Sequence, residues 1–345
     1  MKKIKEFFLS NVFVKSKVII CWTIVAIGVL TVALLLTGCN AGWSNTFSDV
    51  GPAWSPDGSK IVFVKTSYYK QNSNWGVIWV MNADGTNKIK LTDDTEKFNS
   101  PSWSPDGSKI VFGGLVNKSD IWVMNANGSN KVKLTNSTGN DYSPTWLPEG
   151  SKITFNNNFE IWVMNSDGSD QTKLGGSDSP AWSPDGSKVA FLSGNNIGSS
   201  DISVMNTDGS NQVKLTDKMS TSPPAWSPDG SKIAFGAGAV KSDIWVMNTD
   251  GSSKINLTNS TPGGGGPAWS SDSSKIAFGS ESDIWVMNAD GSSKINLTNK
   301  PGDYFRYAWS PDGSKIAFVS AGAEEKFDIW IMNADGSNKI NLTNN

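Results

Sequence analysis

Beyond residue 39 the chain alternates short apolar runs with clusters of Gly, Asp, Asn, Ser and Pro, and shows no strong helical periodicity. The runs are short and rich in β-branched and aromatic residues, a pattern that predicts strands. In one unit a run ending at Trp226 is followed by Lys232-Ile233-Ala234-Phe235, by Asp243-Ile244-Trp245-Val246-Met247-Asn248, and by Lys254-Ile255-Asn256-Leu257-Thr258. In the third of these four runs Ile and Val point to one face and Trp and Met to the other. Both faces are therefore apolar, and such a strand needs cover on two sides. Small sheets packed face to face around an axis supply that cover, each buried apolar side chain contributing roughly 1.5–3 kcal/mol.

The unit recurs. Trp54, Trp103, Trp182, Trp226 and Trp309 are each followed by Ser-Pro-Asp-Gly-Ser-Lys. The variants Trp146-Leu147-Pro148-Glu149-Gly150 and Trp269-Ser270-Ser271-Asp272-Ser273 complete a set of seven, with successive tryptophans 49, 43, 36, 44, 43 and 40 residues apart. This is the spacing of propeller blades. Ser-Pro-Asp-Gly suits a type I turn, and Asn-x-Asp-Gly suits the hairpin between third and fourth strands. The expected fold is all-β: residues 50–345 form a seven-bladed β-propeller of four-stranded antiparallel blades. The seventh repeat has its own outer strand at Lys339 to Thr343, and the first opens on an inner strand near Pro52. The ring is thus expected to close by packing blade 1 on blade 7 without a shared strand, with Trp43 to Phe47 available as an extra edge strand. The recurrent tryptophans, including Trp79, Trp122, Trp162, Trp245, Trp285 and Trp330, are read as core. Ser203 stands in that place in repeat four, marking a packing change or a small cavity.

The N-terminus differs in kind. Residues 1–17 carry a net charge of +4, and Val18 to Leu36 contain no charge. A basic segment, an apolar segment and then Leu36-Thr37-Gly38-Cys39 resemble a bacterial lipoprotein signal. The resemblance implies cleavage before Cys39 and diacylation of its sulfur, with palmitate-type chains; the alternative is a retained apolar helix. The expected organisation is a signal segment at 1–38, a lipidated Cys39 with a short linker over 39–49, and the propeller at 50–345. Either anchor places the repeats outside the cytoplasm, because positive charge holds the N-terminus inside. The only cysteines are Cys21 and Cys39, so no disulfide is available to the repeats. Loss of residues 1–38 takes the formal charge from −2 to −6, which gives nucleic acid no basic surface.

The Trp-Ser-Pro-Asp-Gly turn, the Ile-Ala-Phe strand and the Asp-Ile-Trp-Val-Met-Asn strand resemble the WD40-like repeats of TolB-type propellers over residues 50–345. That family includes Tol-Pal envelope proteins and the propellers of some peptidases and polysaccharide lyases, so the resemblance implies fold more narrowly than function. TolB itself is a soluble periplasmic protein with an α/β domain before its propeller. Here only Asn40 to Asp49 separate Cys39 from the repeats.

Chemistry is bounded by composition. The chain has no histidine, which excludes Ser-His-Asp triads, His-ligated metal centres and the histidine metal site of oligogalacturonate lyases. A prolyl oligopeptidase-type enzyme would also need an α/β-hydrolase domain. Paired carboxylates, or Lys, Arg and Tyr as in some lyases, remain conceivable, and among the acids outside the recurring motifs Glu96, Glu160, Asp303, Glu324 and Glu325 are the first candidates. The Asn-x-Asp-Gly segments lack the further ligands of a calcium loop, position 297 being Leu, and are read as turns. No cofactor, no metal and no catalysis are expected.

Recognition is expected where the repeats are irregular. The two conserved turns share one end of the ring, and the connections from second to third strand and from blade to blade share the other. On that irregular end the candidates are Tyr68, Tyr69 and Trp75; Phe98; Tyr142; Tyr304, Phe305, Arg306 and Tyr307; and Glu324 and Glu325. Arg306 is the only arginine in the chain. Tyr, Trp and Arg dominate interface hot spots, so an envelope protein or peptide is the expected partner, with a cell-surface glycan as the alternative. The chain is expected to be a monomer. If Cys39 carries the anchor, Cys39→Ser shifts the protein from the membrane to the soluble fraction on cell fractionation; continued membrane association identifies an uncleaved helix instead.

Overall fold

The computed structural model describes residues 47–67, 76–95, 97–115, 118–176, 178–194, 200–217, 220, 222–238, 242–259, 262–299, 305–321 and 327–344. Its strands form seven four-stranded sheets, each a simple meander in chain order. The sheets are blades spanning residues 47–90, 97–133, 141–175, 178–214, 225–256, 265–296 and 305–341. Cys39, the preceding apolar segment and residues 43–46 lie outside the described residues.

Within a blade the second and third strands pair in one register throughout. In blade 5, Ile233 faces Met247, Ala234 faces Val246 and Phe235 faces Trp245. Phe of the second strand thus meets Trp of the third, and the rings stack at 6.4 Å between Phe155 and Trp162 and 6.5 Å between Phe318 and Trp330. In blade 4 this Trp is replaced by Ser203, opposite Phe191, and the buried hydroxyl bonds Ser193 Oγ at 2.7 Å. The substitution is therefore filled by a polar pair.

The apolar clusters lie between blades. Ala190, Ile202 and Val204 of blade 4 pack on Ile233, Phe235 and Met247 of blade 5. The Ile/Val face of one blade meets the Phe/Met/Trp face of the next, which is why the third strand is apolar on both sides. The same arrangement closes the ring: Ala317, Ile329, Ile331 and Leu342 of blade 7 pack on Ile61, Phe63 and Met81 of blade 1.

The tryptophan ending each first strand adds a directional bond across the same junctions. Trp103 Nε1 donates to Ala53 O at 3.2 Å, Trp146 to Ser102 O at 3.3 Å, Trp226 to Ala181 O at 2.9 Å, Trp269 to Ala225 O at 3.1 Å, and Trp309 to Ala268 O at 3.1 Å. Trp182 instead donates to Thr154 Oγ1 at 3.0 Å, and that hydroxyl passes the link to Thr145 O at 3.3 Å. The last link joins the two ends of the repeat array, Trp54 Nε1 donating to Ala308 O at 3.2 Å. The ring closes by packing and one hydrogen bond, with no exchanged strand in the described blades.

The regular turns are built by their own side chains. Gly58 N donates to Ser55 O at 2.8 Å, Lys60 N to Ser55 Oγ at 2.9 Å, and Ser59 N to Asp57 Oδ1 at 3.0 Å. Gly58 sits at φ 69°, the left-handed region open to glycine. Blade 6 has Ser273 there at φ 60°, and its hydroxyl accepts from Asp229 N of blade 5 at 3.0 Å, a contact glycine could not make. Ala83 N donates to Ser59 O at 2.9 Å, so both conserved turns of a blade meet at one end of the ring.

Trp54→Phe and Trp226→Phe each delete an inter-blade donor and keep an apolar ring. Each is expected to cost about 1 kcal/mol, read as a lower urea midpoint at unchanged slope; an unchanged midpoint would show that packing alone holds the junctions.

Candidate functional site

Most acids of the repeat are already used by the fold. The Asp that opens the third strand ties down the fourth strand: in blade 5, Asn256 Nδ2 and Thr258 Oγ1 donate to the Asp243 carboxylate at 2.9 and 2.8 Å. Asp283 and Asp328 are held the same way. Where the fourth strand carries Lys, an ion pair replaces the amide: Lys133–Asp120 at 2.7 Å, Lys214–Asp201 at 2.9 Å and Lys173–Glu160 at 2.6 Å. Glu160, a carboxylate candidate from the sequence, is thus the blade 3 member of a structural series. Among the described residues no three His, Cys, Asp or Glu side chains are grouped to hold a metal ion.

The carboxylates of the Ser-Pro-Asp-Gly turns are held ionised by local donors. Asp57, Asp106, Asp272 and Asp312 have pKa values lowered to about 2, first by the hydroxyl two residues before each, then by the backbone N–H and hydroxyl two residues after. The Asn-x-Asp-Gly turns follow the same logic, Asp84 Oδ1 accepting from Thr86 N at 2.9 Å and from its hydroxyl at 2.6 Å. A cavity of about 630 Å³ lies between blades 1 and 2 at this regular end, walled by Pro56, Asp57, Val80, Trp103, Pro105 and Asp106. Most of these residues recur from blade to blade.

The irregular end is organised by a kink in the first strands. The residue three before each conserved Trp has positive φ in six blades: Gly51 (68°), Ser100 (48°), Ser143 (52°), Ser179 (55°), Gly266 (64°) and Arg306 (53°). At each of these positions the pairing with the second strand shifts register, as at a β-bulge. Blade 5 has Pro223 at this place; proline cannot take positive φ, and the first strand there shrinks to Ala225–Trp226. The bulge residues are small except for Arg306.

The predicted recognition residues separate in this setting. Phe98 is a correction: it is fully buried, edge-on to Phe112 at 5.0 Å, and its backbone exchanges two hydrogen bonds with Gly76 of blade 1. That bridge turns the ring into the seam between blades 1 and 2, out of reach of a partner. Tyr142 is half-buried against Phe159, with ring centroids 6.3 Å apart. Tyr307 is half-buried at the seam between blades 6 and 7, and its hydroxyl donates to Gly266 O and, at 3.3 Å, to Gly265 O. Burial pushes its phenol pKa up from the ordinary value. Arg306 is exposed. The backbone of Phe305 pairs with Val319. Tyr68, Tyr69, Trp75, Tyr304, Glu324 and Glu325 lie outside the described residues, as do Glu96 and Asp303.

Two features of this end were missed in the sequence. Phe159 is 70% exposed with φ 67° in the two-residue turn Asn158-Phe159, where the second position would favour glycine. The shortness of that connection, Asn157 to Glu160, was the available signal. The run Gly263 to Gly266 occupies the place where other blades bring aromatic side chains, leaving a cavity of about 260 Å³ bordered by Ser242, Gly279, Ser280 and Glu281. A Cβ on Gly264 would lie 2.5 Å from Phe278, so the run is required by packing as well.

This architecture is a seven-bladed propeller of meander blades sealed by face packing, with its irregular chemistry at one end. Residues 156–345 match the family described as the TolB beta propeller domain, and the chain belongs to that family. Comparison with curated proteins finds no match. Among solved structures it is similar to TolB from Acinetobacter baumannii, at 17% identity and TM-score 0.53, covering 89% of this chain and 65% of that one. An oligogalacturonate lyase in complex with manganese is similar at 14% identity and TM-score 0.67, covering 84% of this chain and 90% of that one. The β-propeller domain of the Trilobed protease from Pyrococcus furiosus, described as having an open velcro topology, is similar at 15% identity and TM-score 0.65, covering 87% of this chain and 98% of that one. The chain thus spans slightly under two thirds of that TolB. At these identities the likeness is one of fold.

The turn carboxylates have folded pKa values below the roughly 3.9 of an unfolded Asp. Their contribution is therefore full above that value and is lost as pH falls through about 2. Thermal midpoints are expected to fall steeply between those limits, and the quadruple Asp→Asn variant at 57, 106, 272 and 312 should flatten that limb. An equally steep fall in the variant would place the acid sensitivity elsewhere.

Proposed function

We propose that the protein is a membrane-tethered, extracytoplasmic recognition propeller that binds an envelope protein or peptide on its irregular end and performs no chemical turnover. The observation that carries this reading is the division of labour in the ring. The tryptophans and most of the acids of the repeat are spent on blade construction, while residues that depart from it, among them Arg306, Tyr142 and Phe159, gather at one end. A scaffold that repeats its structural chemistry and varies only one rim is suited to presenting a binding surface. The lipid on Cys39 would fix location, and two or three acyl chains are needed for stable anchoring.

Glycan binding is the second reading, and one observation favours it. Phe159 and Tyr142 form an aromatic pair beside the exposed amides of Asn140 and Asn158, a combination suited to a sugar ring. The likeness to an oligogalacturonate lyase adds only fold, and this chain has no histidine with which to build a metal site.

The test is a pull-down from envelope extracts with the full chain in detergent, against the quadruple alanine variant at Tyr69, Trp75, Phe305 and Arg306. A partner captured by the wild type and lost by the folded variant is the expected outcome. Equal capture by both proteins, or release of a cleaved oligosaccharide, would overturn the reading.

A further inference from the structure

The inner-rim bulges single out Arg306. Five of the six residues held at positive φ on the first strands are Gly or Ser, for which that conformation is easy or tolerable. The sixth is the only arginine of the chain, a long side chain held at φ 53°. Blades 1 and 6, on either side of blade 7, place glycine at the same position. Among the described residues Arg306 makes no hydrogen bond or ion pair with a side chain, whereas Lys133, Lys173 and Lys214 each pair with a carboxylate of their own blade. Its side chain is open to solvent, yet surrounding protein desolvates the guanidinium enough to lower its pKa. It spans the closing junction, where a methyl group added to Gly51 of blade 1 would lie 3.6 Å from Nη1.

A strained backbone that positions a guanidinium with no ion pair among the described residues has no structural return there, and a charge-assisted ligand contact supplies one. We propose that Arg306 is a carboxylate receptor at the inner rim between blades 7 and 1, taking an acidic side chain or the C-terminal carboxylate of a bound peptide. The inference rests on the recognition reading above and narrows it to a ligand chemistry. The planar guanidinium fork matches a carboxylate in two parallel hydrogen bonds. One further observation points to a peptide. The first strand is an edge strand of its sheet in every blade, and outside blade 2, where Phe98 bridges to Gly76, no described strand pairs with its other side. Among the described side chains beside it, Tyr307 has its hydroxyl bonded to Gly265 and Gly266 and its ring packed in the seam with blade 6, so it is held by the fold.

The experiment is an array of twelve-residue peptides probed with the full chain in detergent. Each peptide is present with a free C-terminal carboxylate and as the amide, and with internal Asp and with Asn; an immobilised oligouronate forms a separate arm. Wild-type protein should prefer the carboxylate member of its binding pairs by about tenfold or more. Arg306→Gly should lose that preference while melting at the same or a higher temperature, since glycine accepts the left-handed backbone; Arg306→Lys should keep only part of it. Equal binding to carboxylate and amide, retention of the preference by Arg306→Gly, or no binding to any peptide overturns the inference. Binding confined to the oligouronate overturns the peptide assignment. The envelope pull-down separates the two levels: a partner lost by the four-residue variant but retained by Arg306→Gly leaves the recognition reading standing and removes the carboxylate receptor.

Discussion

Every blade junction depends on one residue doing two jobs. The tryptophan closing each first strand buries much of its ring against neighbouring apolar side chains and points its N–H back at the preceding blade, where six of the seven donate to a main-chain carbonyl. Burial supplies most of the energy and is tolerant of small displacements; the hydrogen bond supplies direction and fixes how far one sheet turns relative to the next. The exception, Trp182, keeps the geometry by borrowing a threonine hydroxyl as a relay. The junction constrains the donor more tightly than the acceptor.

That arrangement explains why the ends of the ring differ. At the regular end, serine and aspartate side chains complete each turn internally, so blades repeat the same solution, with the Asp229–Ser273 contact between blades 5 and 6 as an addition to it. At the other end, connections of unequal length must pass from blade to blade, and the bulged first strands reorient them. The bulge relieves pairing next to the axis and, in six of the seven blades, frees one position from the alternation of the strand. Chemistry can be placed there without disturbing the core.

The blade count, the strand order and the closure without an exchanged strand were legible because the repeat supplies seven independent readings of one pattern. The position of Phe98 was not, since its burial follows from a main-chain bridge to Gly76 that no local pattern announces. The bulges were equally hidden: serine at Ser100, Ser143 and Ser179 gives no sign of positive φ, and only the glycines and Pro223 hint at a special backbone. Arg306 was visible by its rarity, but its left-handed backbone has no local signal in the sequence.

The near-identity of the junctions has a consequence for assembly. Blade 4 presents to blade 5 nearly the same surface that blade 7 presents to blade 1, so affinity alone scarcely tells a correct neighbour from an incorrect one. Correct order comes from tethering: each connection holds the next blade at high effective concentration beside its own predecessor. Two chains brought close together while half-made could exchange blades with little energetic objection. For such a sequence, crowding during synthesis opens a route to blade exchange between chains.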